Sequence, residues 1–140
     1  MLAAEETARS CGLQARAEVA GIGWNSDAHH FTRPNAATVI QAIRDAIHDA
    51  ELQPEDIKAI NAHGTSTPTG DTTEADCLRT VFGSHLPQIP ISANKSQVGH
   101  SLGASAAIEA ALAIEGMRQG IALPTVNHIA DPDLGDLDVV

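Results

Sequence analysis

Apolar residues fall along this chain in two spacings, and the alternation between them predicts its elements. Between residues 36 and 52, Val39, Ile40, Ile43, Ala46, Ile47 and Ala50 recur every three or four positions, which places them on one face of a helix. Pro34 suits the first turn of that helix. Residues 2–10 are also helix-prone, with Gly12 positioned to end them. Residues 16–23 alternate apolar and polar and predict a strand, while 24–33, with the pair His29-His30, predict a polar loop. After Pro54, residues 57–62 predict a short apolar strand, 63–70 a loop and 72–82 a helix. The rhythm then repeats. Residues 89–92 predict a strand, 93–100 a polar loop, and 102–119 a long alanine-rich helix closed by Gly120. Apolar side chains wrap most of that last helix, the pattern of a buried, central element. Residues 121–127 and 136–140 predict extended segments, and the closing Leu-Asp-Val-Val predicts an element cut short. Strands alternating with helices predict an α/β layered fold.

Composition makes the expected core thin. The 140 residues contain two Phe, one Trp and no Tyr, 2% aromatic in all, while alanine supplies 24 positions. Each alanine buries little area at about 25 cal/mol per Å², so marginal stability or association with another half is expected. Eight Lys+Arg against eighteen Asp+Glu give a net charge of −10. That balance argues against nucleic acid and anionic membranes as partners, since phosphates call for a basic stripe. No apolar run reaches the ~18–20 residues of a membrane span. The N-terminal Met-Leu-Ala-Ala-Glu-Glu lacks the basic and apolar regions of a secretory signal, so a cytoplasmic location is expected. Cys11 and Cys77 form neither a disulfide framework nor a zinc pattern, and no metal is expected from them.

Two polar loops carry the candidate chemistry, each between an apolar strand and a helix, where α/β proteins place reacting groups. The first is Asn61-Ala-His-Gly-Thr-Ser-Thr-Pro-Thr-Gly-Asp-Thr-Thr-Glu74, and the second is Ser92-Ala-Asn-Lys-Ser-Gln-Val-Gly-His-Ser-Leu-Gly-Ala-Ser105. They hold His63, Lys95 and His100, with Asp71 and Glu74 nearby. Taken singly these residues have ordinary explanations. Asp71-x-x-Glu74 fits a helix capping box, the Ser/Thr run fits turn chemistry, and Gly99 and Gly103 allow close backbone approach. Taken together they are distinctive.

The two segments resemble the C-terminal half of β-ketoacyl-acyl carrier protein synthases, condensing enzymes of the thiolase fold. Asn61 to Glu74 matches the family's N-A-H-G-T-S-T-x-x-G-D-x-x-E signature, and Lys95 to Glu109 matches K-S-x-x-G-H-x-x-G-A-x-x-x-x-E. Ser26-Asp-Ala-His-His-Phe-Thr32 resembles the mouth of the pantetheine tunnel, and Pro124-Thr-Val-Asn127 with Asp136 to Val140 resembles later strands. The wording is closer to stand-alone type II synthases than to modular polyketide ketosynthases. Residues 1–140 are thus expected to form a C-terminal thiolase-like domain, truncated at both ends.

The resemblance implies a decarboxylative condensation of malonyl on acyl carrier protein with an acyl thioester, in fatty acid or polyketide synthesis. His63 and His100 are implied as neutral N–H donors to the enolate oxygen, arranged like an oxyanion hole. Lys95 is implied as a fixed cation that keeps them neutral, paired with Glu74 and supported by Asp71. Thr65 and Thr67 are implied to bind the pantetheine arm, with Asp27, His30 and Thr32 at its entrance. No cofactor is implied beyond the carrier's phosphopantetheine, although some members hold a monovalent cation near the positions of Asn61, Ala62 and Glu109. Implied partners are acyl carrier protein and either an N-terminal half or a homodimer partner. The carrier is itself acidic, which leaves Arg33 as the best local docking contributor. The family's Ala-Cys-Ser-Ser nucleophile motif and its late glycine-rich segment have no counterpart here. Cys11 lies at the wrong helix end to stabilise a thiolate, and Cys77 reads as a core residue. The isolated chain is therefore expected not to condense, and a non-condensing partner subunit is the alternative. A thiolase proper, with two active cysteines, fits the lysine and two-histidine set less well.

Overall fold

A computed structural model describes residues 2–30, 32–132, 134–135 and 137–140. Helix α1 (Glu5–Ser10) is short and exposed, and Gly12 follows it at a positive φ of 63°. Helix α2 (Ala36–Asp49) begins where Asn35 accepts a hydrogen bond from the Ala37 N–H, satisfying one of the helix's free donors. Pro34 therefore stands just outside the first turn. Strand β1 (Ile60–Asn61) leads into helix α3 (Pro68–Phe82), which packs against α2. Pro68 occupies the first turn of α3, so this helix starts four residues before the expected Thr72. A 3-10 stretch (Gly83–Gln88) then delivers strand β2 (Ile91–Ser92) beside β1.

The sheet is smaller than the sequence pattern suggests. Among the described residues it consists of β1 and β2, parallel, with Ile60 opposite Ile91 and Asn61 opposite Ser92. Val139 adds an isolated parallel bridge to Ile91. The Ile91 N–H donates to the Asp138 carbonyl, the Val140 N–H to that of Ile91, and the Thr125 N–H to that of Val140, so the end of the expected 136–140 segment runs beside β2; Asp136 lies outside the described residues. Residues 16–23 join no sheet, contrary to their alternation. Gly21 to Gly23 lie instead on α2, where the Ile22 N–H donates to Asp49 Oδ2 at 2.9 Å. A side chain at Gly23 would collide with the Ala42 carbonyl, and one at Gly21 with that of Ala46. The glycines are thus there for close approach to a helix. Residues 121–127 form no strand either.

The core gathers around α3. Ala62, Leu78, Phe82, Leu86, Ile89 and Ile91 are buried together, with Ile43, Ile47, Ile57, Ile60, Val81 and Leu137 packed against them. The second polar loop is not wholly irregular, since residues Lys95–Val98 form a single-turn helix, α4, ended by Gly99. A 3-10 turn (Leu102–Ala104) then opens helix α5 (Ser105–Gln119), and Gly120 closes it in the left-handed conformation. Within this chain alone, α5 is mostly exposed. Ser105, Glu109 and Gly116 are the residues of α5 that are buried, while Ile108 and Met117 are exposed. The helix turns a small and charged stripe inward, leaves Leu112 and Ile114 half-buried, and exposes Ile108 and Met117. No helix among the described residues is long and apolar enough to cross a membrane.

Candidate active site

The site forms where β1 and β2 end side by side. Past Asn61, the Ala62 N–H donates to the Ser92 carbonyl at 2.8 Å, which fixes the two following loops against one another. His63 emerges from the first loop. Its backbone N–H and that of Gly64 both donate to the Glu74 carboxylate, at 2.7 and 3.0 Å. Glu74 reaches across from the second turn of α3 to do this. It does not pair with Lys95, which corrects the reading from resemblance, and it does not cap its own helix. Asp71 lies in the first turn of α3 rather than at its cap, which is Thr67, and its Oδ1 is buried with no hydrogen-bond partner among the described residues.

The partner of Lys95 is Glu109. The ammonium lies 2.8 Å from one carboxylate oxygen and 3.0 Å from the other, and the two side chains are only 7% and 6% exposed. Asn61 Nδ2 donates to the same carboxylate at 2.9 Å, tying the end of β1 to α5. Burial pushes the Glu109 carboxyl up, but hydrogen bonds from Lys95 and Asn61 and the Lys95 charge outweigh it and hold the group below its ordinary value. Lys95 and Glu109 are 14 residues apart on separate helices, so no local spacing announces the pair.

His100 follows Gly99, whose φ of 75° redirects the chain out of α4. The His63 and His100 rings stand perpendicular with centroids 5.7 Å apart. Two loops separated by a whole helix thus bring two imidazoles into edge contact. On the His63 side, Asp27, His30, Thr32, Arg33, Thr65 and Thr67 line a groove of about 490 Å³. Thr65 and Thr67 lie side by side in it, with hydroxyl oxygens 3.2 Å apart. On the other side, Lys95 and His100 line a groove of about 520 Å³ that shares Thr65 and Glu74 with the first.

The remaining expected residues have structural ties. Asp27 accepts hydrogen bonds from the His29 and Asn35 N–H groups, which hold its carboxyl below the ordinary value. His30 Nδ1 accepts from the Thr32 N–H at 3.1 Å. Asp27 therefore shapes the groove wall rather than offering a free carboxylate. Phe31, between them, lies outside the described residues. Cys77 is buried in α3, and burial pushes its thiol up, with Asp76 and Glu74 adding to the effect, which disfavours a thiolate. Cys11 is exposed at the C-terminal end of α1. Of the residues considered for a monovalent cation, Glu109 has both carboxylate oxygens hydrogen-bonded, by Lys95 and by Asn61. Ser105, which the sequence reading passed over, stands against the His100 ring.

This arrangement defines a thiolase-like ketosynthase half, and comparison with known proteins agrees. Residues 16–128 match the Beta-ketoacyl synthase, C-terminal domain, and the chain belongs to that family. It is 39% identical over 138 residues to 3-oxoacyl-[acyl-carrier-protein] synthase 2 of Coxiella burnetii, covering 96% of this chain and 33% of that protein. It is 37% identical to Nodulation protein E of Rhizobium leguminosarum bv. trifolii, over 99% of this chain and 35% of the relative. A beta-ketoacyl synthase crystal structure from Burkholderia phymatum superposes with a TM-score of 0.87 at 42% identity, over 95% of this chain and 32% of that one. A type II PKS acyl-carrier protein in complex with its ketosynthase gives a TM-score of 0.88 at 34% identity, over 97% and 34% of the two chains. The chain spans about a third of the length of the curated relatives it matches.

Proposed function

We propose that this chain supplies the decarboxylation half of a β-ketoacyl-acyl carrier protein synthase site. The carrying observation is the perpendicular His63–His100 pair at the ends of the parallel strands. Loss of carbon dioxide from a malonyl thioester leaves negative charge on the thioester oxygen. Two preoriented N–H donors at that oxygen lower the barrier because they need no reorganisation as charge develops. Lys95 supplies a nearby cation, and Glu109 fixes its position. Thr65 and Thr67 offer hydroxyls to the pantetheine arm along the groove that begins at Asp27, His30 and Thr32, with Arg33 at its rim for carrier docking. The acyl chain is carried by a cysteine on an N-terminal half or partner, whose contact also covers the apolar sides of α5. Substrates arrive on phosphopantetheine, and the chemistry draws on no resident cofactor.

The test is condensation by the assembled synthase. This chain joined to a half bearing an Ala-Cys-Ser nucleophile is expected to yield a β-ketoacyl carrier from acyl and malonyl carriers, and this chain alone is expected to yield none. Product from the chain alone would sink the division of labour. A stable assembly that binds carrier but forms no product would instead favour a non-condensing subunit.

A further inference from the structure

Ser105 is the first residue of α5 and is buried, 6% exposed. Its hydroxyl has two partners among the described residues. The Ser101 backbone N–H donates to Oγ at 2.9 Å, and Oγ lies 3.0 Å from His100 Nδ1. A serine hydroxyl carries one proton and two lone pairs. The Ser101 N–H occupies one lone pair, so the hydroxyl proton is the group left to face the imidazole. Were Nδ1 to carry the ring proton, it too would donate to Oγ. The hydroxyl proton would then be left in a buried position without an acceptor, the arrangement folded proteins avoid. We propose that Ser105 is a positioning residue that donates to His100 Nδ1 and thereby places the ring proton on Nε2. The orientation of the donor follows from the Ser101 N–H, which anchors Oγ from the other side, and from helix α5, which fixes the Cβ. Resting on the reading of His100 as an N–H donor, this assigns the tautomer with which it acts: Nε2–H, on the edge away from Ser105.

Helix α5 also joins the site to the interior. Glu109, one turn further along the same buried stripe of α5, holds Lys95. Successive buried turns of one helix thus orient both the cation and the second imidazole.

The experiment uses the full chain labelled with nitrogen-15 at histidine, observed by long-range proton–nitrogen correlation above the titration range of imidazole. In the unaltered protein His100 is expected to show a pyridine-type Nδ1 and a pyrrole-type Nε2, separated further than the averaged pair of exposed His128, which serves as the internal reference. Ser105→Ala is expected to shrink that separation toward the His128 value, and Ser105→Thr, which keeps the hydroxyl, is expected to retain it. A proton on Nδ1 in the unaltered chain, or a His100 separation equal to that of His128, overturns the assignment even if the alanine variant does not fold. Because the readout is spectroscopic, it stands apart from the condensation assay. A synthase inactive for other reasons still reports the tautomer, and an active one with the wrong tautomer still refutes Ser105.

Discussion

The α2–α3 region and the α5 region are built by different means. Around α3, Leu86 and Ile89 are fully buried, and Ile43 and Ile47 of α2 close over the cluster. This half folds on apolar area. Around α5, Met117 is 70% exposed and Ile129 is 85% exposed, and the attachments are polar. Lys95 and Asn61 hold Glu109, Ser92 Oγ donates to the Leu123 carbonyl, and Gln97 Nε2 donates to that of Pro124. The site lies on the seam between the two, with His63 on the first side and His100 on the second. The comparison shows how a chain poor in large side chains keeps a site in register: directional hydrogen bonds carry the part its own core does not reach.

Breaking the seam gives the largest expected effect. Glu109→Ala or Lys95→Ala leaves a buried charge without its partner and is expected to cost about 3–5 kcal/mol, read as a lower urea midpoint. A loss below about 1 kcal/mol would mean that the pair is dispensable and that α5 is held some other way. In the apolar half, Leu86→Ala is expected to cost about 2–5 kcal/mol through a cavity. The pH dependence follows from Glu109. Its carboxyl is held below the ordinary value of 4.5, so its contribution is full above that pH and is lost as pH falls through the lower folded value. Unfolding followed from pH 6 downward is expected to show stability falling in that acid range, with Glu109→Gln flattening the curve. Gly23→Ala is expected to cost about 1–3 kcal/mol, since its Cβ meets the α2 backbone. At the small end, Met117→Ala is expected to change stability by less than about 0.5 kcal/mol in the isolated chain. A cost equal to that of Leu86→Ala would erase the distinction between the two regions.

Legibility in the sequence follows the same divide. Helix α2 was readable because Ile43 and Ile47 obey a local period, while its cap, Asn35, was not singled out. His63, Lys95 and His100 stood out because their loops carry long motifs. Long-range choices were less visible. Residues 16–23 alternate like a strand, yet a strand requires a ladder partner, and α2 occupies that side. The apolar wrap of α5 reads as burial, although burial depends on what packs against it. Glu74 was paired with Lys95 as part of what the family resemblance implied. The fold instead gives Glu74 two backbone N–H groups and gives Lys95 a carboxylate 14 positions on. Ser105 carried no signal of its own, since a serine opening a helix has an ordinary explanation.

The most direct test of the two-histidine site is carbon dioxide release from malonyl carried on acyl carrier protein, measured in the assembled synthase with His63→Ala and with His100→Ala. Each is expected to slow release by about 10²–10³-fold, as loss of one oxyanion donor does, while acylation of the nucleophilic cysteine continues. Release within about threefold of the unaltered rate in either variant, far short of what a lost oxyanion donor costs, would contradict the assignment of that histidine.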